Sequence, residues 1–356
     1  MNLKEFVKRA KESSFFTSPI LGKDLSKFLD KQQGTVAQLA KKVVQKKISS
    51  IYWVGSGNSW CNLYPAKYII DKYIGIPTEV TCGYELIWKN PKSLNENSVA
   101  FFSSYSGSTE DTLSALKFAK EKGAYTVSIV NKADSPMGRE ADDVIPFNSN
   151  ALYILPMAAT YIFVAELAKH YGVKELDFLV KDLWALPEIL ENVNAECEET
   201  TLKLAEENKY ESLFYVLSSG LLYALGYKYS YTVFMENMRV NSGFIETSEF
   251  RQGPIEMLER YRPTIVFLVN NDDTRKMSER VISMVNEIGA KTLIFDYKYY
   301  SEKYDNLSTF FSPFILHVPL QWFATYSAFF RGIENLDERV FMGRKKLSAG
   351  TDVSWP

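Results

Sequence analysis

Four serines, a threonine and a glycine crowd into Ser103–Thr109 (S-S-Y-S-G-S-T), between an apolar run at Val99–Phe102 and an amphipathic stretch at Asp111–Lys122. A strand-to-helix turn of this composition aims hydroxyls and backbone N–H groups at one point. That suits a phosphate dianion held without any lysine or arginine. One Ser or Thr is enough for a helix N-cap, so five hydroxyls exceed what capping requires. A second small-residue turn, V-G-S-G-N-S at Val54–Ser59, follows another strand candidate and brings Gly57 and Ser59 to its end. In an open parallel sheet, ligands lie outside the carboxyl ends of the strands, where a glycine lets backbone amides approach an anion. The turn fails as a dinucleotide fingerprint, because Trp60 stands where the third glycine of GxGxxG belongs. Taken alone, a plain tight turn accounts for it equally well.

Two further segments could carry chemistry. In YTVFMENMRV, Glu236 lies among the apolar residues Phe234 and Met238 at helical spacing. Such a carboxylate is either a satisfied structural group or a base whose pKa is raised by desolvation, and the residue types leave both readings open. E-T-S-E-F-R-Q-G-P, Glu246–Pro254, places carboxylates, Arg251 and Gln252 in a polar loop that leaves a strand at Gly243–Ile245 and starts a short helix. A charged surface turn is its plain alternative.

The elements that must position these groups alternate. Strand candidates at Ile51–Val54, Val99–Phe102, Tyr125–Val130 and Val144–Phe147 are each followed by a turn and a helix-length segment. Residues 2–48 read as helices, and Ala151–Asn208 as a long helical stretch with its many carboxylates on a solvated face. Strands then return at Leu213–Leu217, Thr264–Val269 and Lys291–Phe295, with a helix over Arg275–Ile288. Buried strands separated by helices imply parallel sheets covered on both faces. Three landmarks recur in order at a nearly constant offset: Gly57 with Gly220, Glu85 with Glu249, and Gly123 with Gly289. The expected architecture is α/β: two three-layer α/β/α units with parallel sheets, related by internal duplication. The expected division is an N-terminal helical segment at 1–44, a first unit at 45–172, a helical linker at 173–208 and a second unit at 209–356.

Composition narrows the function classes. The 356 residues carry 41 Lys+Arg against 43 Asp+Glu, interspersed, for a net charge of −2. This gives no basic footprint for nucleic acid and no polybasic face for a membrane. No uncharged apolar run reaches the roughly 18 residues that span a bilayer. Cys61, Cys82 and Cys197 form no CxxC pair, so a disulfide scaffold or zinc knuckle is not supported. His170 and His317, the two histidines, stand far apart in apolar surroundings and read as packing residues. A soluble, cytoplasmic protein without metal or cofactor is expected.

The strand-turn-helix units with S-x-S-G-x-T, the duplication, and E-F-R-x-G-P-x-E resemble the double sugar isomerase (SIS) domain proteins, over about residues 45–345. Within that family the chain is most similar to the fructosamine-6-phosphate (fructoselysine-6-phosphate) deglycases, and more distantly to the isomerase half of glucosamine-6-phosphate synthase. The resemblance implies that the turn matching Ser104, Tyr105, Ser106 and Thr109, helped by Gly57 and Ser59, holds a sugar 6-phosphate. It places Glu236 at the family's catalytic glutamate, which favours the base reading. At the position of the family's histidine stands Gln252, whose amide orients hydroxyls or water but cannot titrate. The aminating isomerases carry a C-terminal lysine; counting their spacing from Gly332 gives Gly343, while the arginine four positions earlier is retained as Arg339. The tail L-D-E-R-V-F-M-G sides with the deglycases. The implied activity is deglycation of a fructosamine 6-phosphate to glucose 6-phosphate and a free amine. Its rivals are an aldose-ketose phosphosugar isomerase and a non-catalytic phosphosugar-binding protein. Relatives dimerise, and a homodimer is expected.

Overall fold

The computed structural model describes residues 2–13, 15–305 and 307–341; Gly343 lies outside them. The chain divides into two compact units. The first takes Gly22–Pro187 with Val340 and Phe341, and the second takes the residues up to Leu21 with Glu188–Arg339. The boundary falls at Pro187, inside the helix Leu179–Glu207.

In the first unit, strands β1 (Ser50–Val54), β2 (Thr78–Thr81), β3 (Ser98–Ser104), β4 (Tyr125–Val130) and β5 (Asp143–Pro146) form one sheet in the order β2-β1-β3-β4-β5. Every pairing is parallel. All residues of β1 and β3 are buried, which requires cover on both faces, and successive side chains divide between the two sides. Tyr52, Val54, Ala100 and Phe102 pack with Ala115, Leu116 and Ala119 of the helix Glu110–Glu121. Trp53 and Phe101 turn the other way, stack at 4.4 Å and meet Phe163 of the helix Ile154–His170 at 6.0 and 4.6 Å. The result is three layers around a central sheet.

The second unit repeats the plan. Strands β6 (Leu213–Ser218), β7 (Asn241–Glu246), β8 (Thr264–Val269) and β9 (Thr292–Asp296) are parallel in the order β7-β6-β8-β9. This is the order of the first sheet without its fifth strand. Leu217, Ile265, Phe267 and Val269 pack with Val281 and Val285 of the helix Arg275–Glu287. Phe214 and Phe295 meet Phe323 at 6.4 and 6.0 Å. Phe323 belongs to the helix Ser312–Phe330, which is buried continuously from Ser312 to Ala328, as an element apolar on every side must be.

Three sequence expectations need correction. The stretch Ala151–Asn208 is not one solvated helix. It breaks at Gly172, whose φ of 72° lies in the left-handed region, and its first part is buried all round from Ile154 to Ala165. The carboxylates belong to the later helix, Leu179–Glu207. His170 is not a packing residue, because it sits exposed at the last turn of its helix, where its ring meets Tyr171 edge-on. The segment around Glu236 is helical but is not wound as an α-helix, as described below. Strand β2 escaped the sequence reading because it is a four-residue, half-exposed edge strand with little apolar signal. Among the described residues, no helix is long and apolar enough to cross a membrane.

Candidate active site

The hydroxyl-rich turn leaves the end of β3 and enters the helix Glu110–Glu121. Ser104 Oγ lies 2.7 Å from Thr109 Oγ1 and 3.3 Å from Ser106 Oγ, and the latter pair are 3.5 Å apart. Three hydroxyls therefore meet at one point. Thr109 holds the N-cap position yet makes no side-chain capping bond, so capping does not account for its hydroxyl. The backbone folds inward as well: Gly107 N–H donates to Ser104 Oγ at 3.0 Å and Ser108 N–H to Ser106 Oγ at 3.2 Å. Gly107 has φ 64°, and a Cβ there would lie 2.2 Å from Ser135 Oγ, so the turn demands glycine. Tyr105 points out of the cluster, its hydroxyl donating to Asn150 Oδ1 at 2.6 Å. Its contribution to the turn is therefore backbone.

The Gly57 turn lies at the end of β1, which pairs directly with β3, so the two turns occupy adjacent strand ends of one sheet. Gly57 has φ 55° and ψ −122° and starts the helix Asn58–Ile69, within which Ser59 lies in the first turn. Ser56 Oγ donates to Asp111 Oδ2, which ties this turn to the first turn of the helix Glu110–Glu121. The two carboxylates of that helix start are both engaged by protein donors. Asp111 Oδ1 also accepts Thr112 N–H at 2.6 Å, and Glu110 Oε1 accepts the Tyr84 hydroxyl at 2.9 Å. Both carboxylates are thus directed at donors of the protein, while the three hydroxyls meet at the start of the helix.

In the second unit, Glu236 sits near the end of Lys228–Met238, eleven residues wound as a π-helix after the short α-helix Tyr223–Tyr227. Runs of π-helix are rare, and shorter ones concentrate at functional sites. The winding turns Phe234 and Met238 into the core while Glu236 stays half-exposed. Its carboxylate is ion-paired with Arg339, whose guanidinium is about equally exposed. The sequence expectation of a carboxylate inside apolar surroundings is therefore replaced by a half-exposed carboxylate facing a guanidinium.

The polar loop is a short 3₁₀ segment, Thr247–Gln252, capped by Glu246 at the end of β7. Glu246 accepts from the Ser219 and Ser248 hydroxyls and from the N–H groups of Ser248 and Glu249. Burial alone would raise its carboxyl, but these donors outweigh it and hold the group below the usual carboxylate range. Gln252 is exposed at the end of this segment.

The SIS domain family profile matches residues 46–169. Residues 46–169 are a SIS domain. The chain is 27% identical over 330 residues to fructoselysine 6-phosphate deglycase from Escherichia coli (strain K12), covering 92% of this chain and 96% of that one. It is also 27% identical over 293 residues to the fructosamine deglycase of Bacillus subtilis (strain 168), covering 78% and 87%. A solved Bacillus subtilis structure, provisionally described as a phosphosugar isomerase, matches with a TM-score of 0.79 at 25% identity over 88% of this chain and 97% of that one.

The SIS domain and the unit that repeats its strand order differ at the strand end that matters most. Where β3 leads into S-Y-S-G-S-T, its counterpart β8 leads into N-N-D-D-T-R. There Asp272 accepts from Asn270 and Thr274, and Arg275 forms a two-pronged pair with Asp296. That turn carries no serine, so the two units share the strand order and the SIS domain alone of the two has the hydroxyl cluster. Sequence reading missed the roles of Asp111, Gly107 and the Glu236–Arg339 pair. Glycine 107 alone left a local signal, because a glycine inside a hydroxyl turn marks a positive φ.

Proposed function

We propose that the chain is a phosphosugar-processing enzyme that deglycates a fructosamine 6-phosphate. The observation that carries this reading is the convergence of the Ser104, Ser106 and Thr109 hydroxyls at a helix start, none of them spent on capping. In this reading the cluster, with the Gly57 and Ser59 turn beside it, holds the 6-phosphate and supplies orientation energy far from the reacting carbons. Glu236 takes a proton from C1 of the open-chain aminoketose and returns a proton to C2, through an enaminol. The resulting aldimine adds water and releases glucose 6-phosphate and the free amine. Arg339 pairs with the carboxylate and holds it in one orientation. The two deglycases of similar length support the choice of an amine-bearing substrate.

Gln252 favours a second reading, a phosphosugar-binding protein without turnover, because its amide cannot supply the proton that ring opening needs. Incubation with fructoselysine 6-phosphate separates the two. Release of glucose 6-phosphate and lysine supports the enzyme, and saturable binding with neither product supports the binding protein. Conversion of fructose 6-phosphate alone, without amine release from the first compound, would make the chain a simple isomerase.

A further inference from the structure

The end of the π-wound segment and the segment Leu336–Arg339 are fastened together by the side chains of Glu236, Asn237 and Arg239. Asn237 Nδ2–H donates to the Leu336 carbonyl at 3.1 Å, in a buried contact. Arg239 Nη2 reaches both the carbonyl and the carboxylate of Glu338 at 3.3 Å. Arg339 pairs with Glu236 and also donates to the Leu336 carbonyl at 3.3 Å.

Arg239 occupies an unusual place in this arrangement. It ends the π-wound segment with φ 54° and ψ 39°, in the left-handed region. In the SIS domain, the π-wound segment Ile70–Ile74 also ends on a left-handed residue, and there it is Gly75, with φ 79° and ψ 13°. Glycine adopts this conformation freely and arginine does not. A backbone position that favours glycine thus carries a long cationic side chain, and that side chain spans to Glu338, the neighbour of the residue that pairs with Glu236. Strain held beside a candidate catalytic group points to a role for the side chain that maintains it.

We infer that Arg239 is a positioning residue, which keeps the Leu336–Arg339 segment in register so that Arg339 meets Glu236. The inference rests on the reading of Glu236 as the proton-transferring carboxylate. Arg239→Gly separates positioning from folding, because glycine relieves the backbone while removing the span to Glu338. The variant is expected to melt at or above the wild-type temperature. Amide hydrogen exchange in a peptide covering Glu334–Arg339 should accelerate, and kcat on fructoselysine 6-phosphate should fall about fivefold with KM within about twofold, the scale of an exposed ion pair. Glu338→Gln, which leaves the contact of Arg239 with the Glu338 carbonyl, should give a smaller loss in the same direction, and the double variant should lose no more than about twofold beyond Arg239→Gly, as coupled groups do. Arg239→Lys, equally disfavoured in backbone but still cationic, should retain most of the rate. Unchanged exchange in Arg239→Gly would overturn the latch, and faster exchange with unchanged kcat would overturn its positioning role. A wild-type protein with no turnover would remove the reading of Glu236, while the exchange measurement still decides whether Arg239 holds the segment.

Discussion

Thr109→Val puts the phosphate reading at risk most economically. Valine keeps the shape and β-branching of threonine and removes only the hydroxyl. That hydroxyl lies 2.7 Å from Ser104 Oγ and caps nothing. Its loss should therefore cost the fold about 0.5–1.5 kcal/mol, the value of one neutral hydrogen bond, and toward the low end, because Ser104 Oγ keeps its bond from Gly107 N–H. A hydrogen bond to a phosphate dianion is charge-assisted and contributes about 1.5–3 kcal/mol, or roughly 10- to 100-fold in Kd. At a glucose 6-phosphate concentration of about 100 times the wild-type Kd, ligand stabilises the native protein by about 2.7 kcal/mol. A 30-fold weaker complex at the same concentration leaves about 0.9 kcal/mol. The assay is a denaturation series with and without glucose 6-phosphate, with unphosphorylated glucose as the control. Wild-type stabilisation by glucose 6-phosphate in Thr109→Val would refute the phosphate role. A stability loss of about 1–2 kcal/mol with unchanged ligand binding would identify the residue as an ordinary cap after all.

Other expectations follow from the second unit. Glu236→Gln should lower turnover at least about 10²-fold, the usual worth of a positioned proton-transfer group, while glucose 6-phosphate still binds with wild-type affinity in a calorimetric titration. Gln252→His should raise kcat if proton supply during ring opening limits the rate, read by steady-state release of glucose 6-phosphate; an unchanged or lower rate would show that the acid comes from another group. His317 is fully buried, with Nδ1 2.7 Å from the Tyr229 hydroxyl, which also donates to the His317 carbonyl at 2.8 Å. Burial, with the Lys228 cation adding to it, holds the imidazole well below its ordinary 6.5. On acidification the unfolded chain binds this proton first, so stability should fall as pH drops below about 6.5, by up to about 1.4 kcal/mol per pH unit, until the depressed native pKa is reached. Urea titrations across pH 5–7 should show this slope, and His317→Asn, which keeps a donor toward Tyr229, should flatten it.

The legible parts of the fold are those encoded locally. The strands of a parallel sheet covered on both faces read as continuous apolar runs, and β4 and β8 coincide with the runs Tyr125–Val130 and Thr264–Val269. The hydroxyl cluster was legible because one heptapeptide contains all of it. Its internal geometry was not: the outward turn of Tyr105 depends on Asn150, a residue from a distant loop. The π-winding of Lys228–Met238 left no signal, since over eleven residues the apolar spacing does not separate it from an α-helix. The environment of Glu236 was illegible for the same kind of reason. Phe234 and Met238 suggested burial, but the partner that governs the carboxylate, Arg339, comes from a segment far along the chain. The carboxylates of the long helical stretch misled the reading of Ile154–His170, where Gly172 separates an all-apolar helix from a polar one.

The account depends on Glu236 taking a proton from C1 of a phosphate-anchored sugar and delivering to C2 a proton that has exchanged with solvent. Fructoselysine 6-phosphate incubated with the protein in D₂O tests this directly by nuclear magnetic resonance of the products. Free lysine and glucose 6-phosphate carrying solvent deuterium at C2, both lost in Glu236→Gln, are the predicted result. Bound substrate recovered intact and free of deuterium would contradict it.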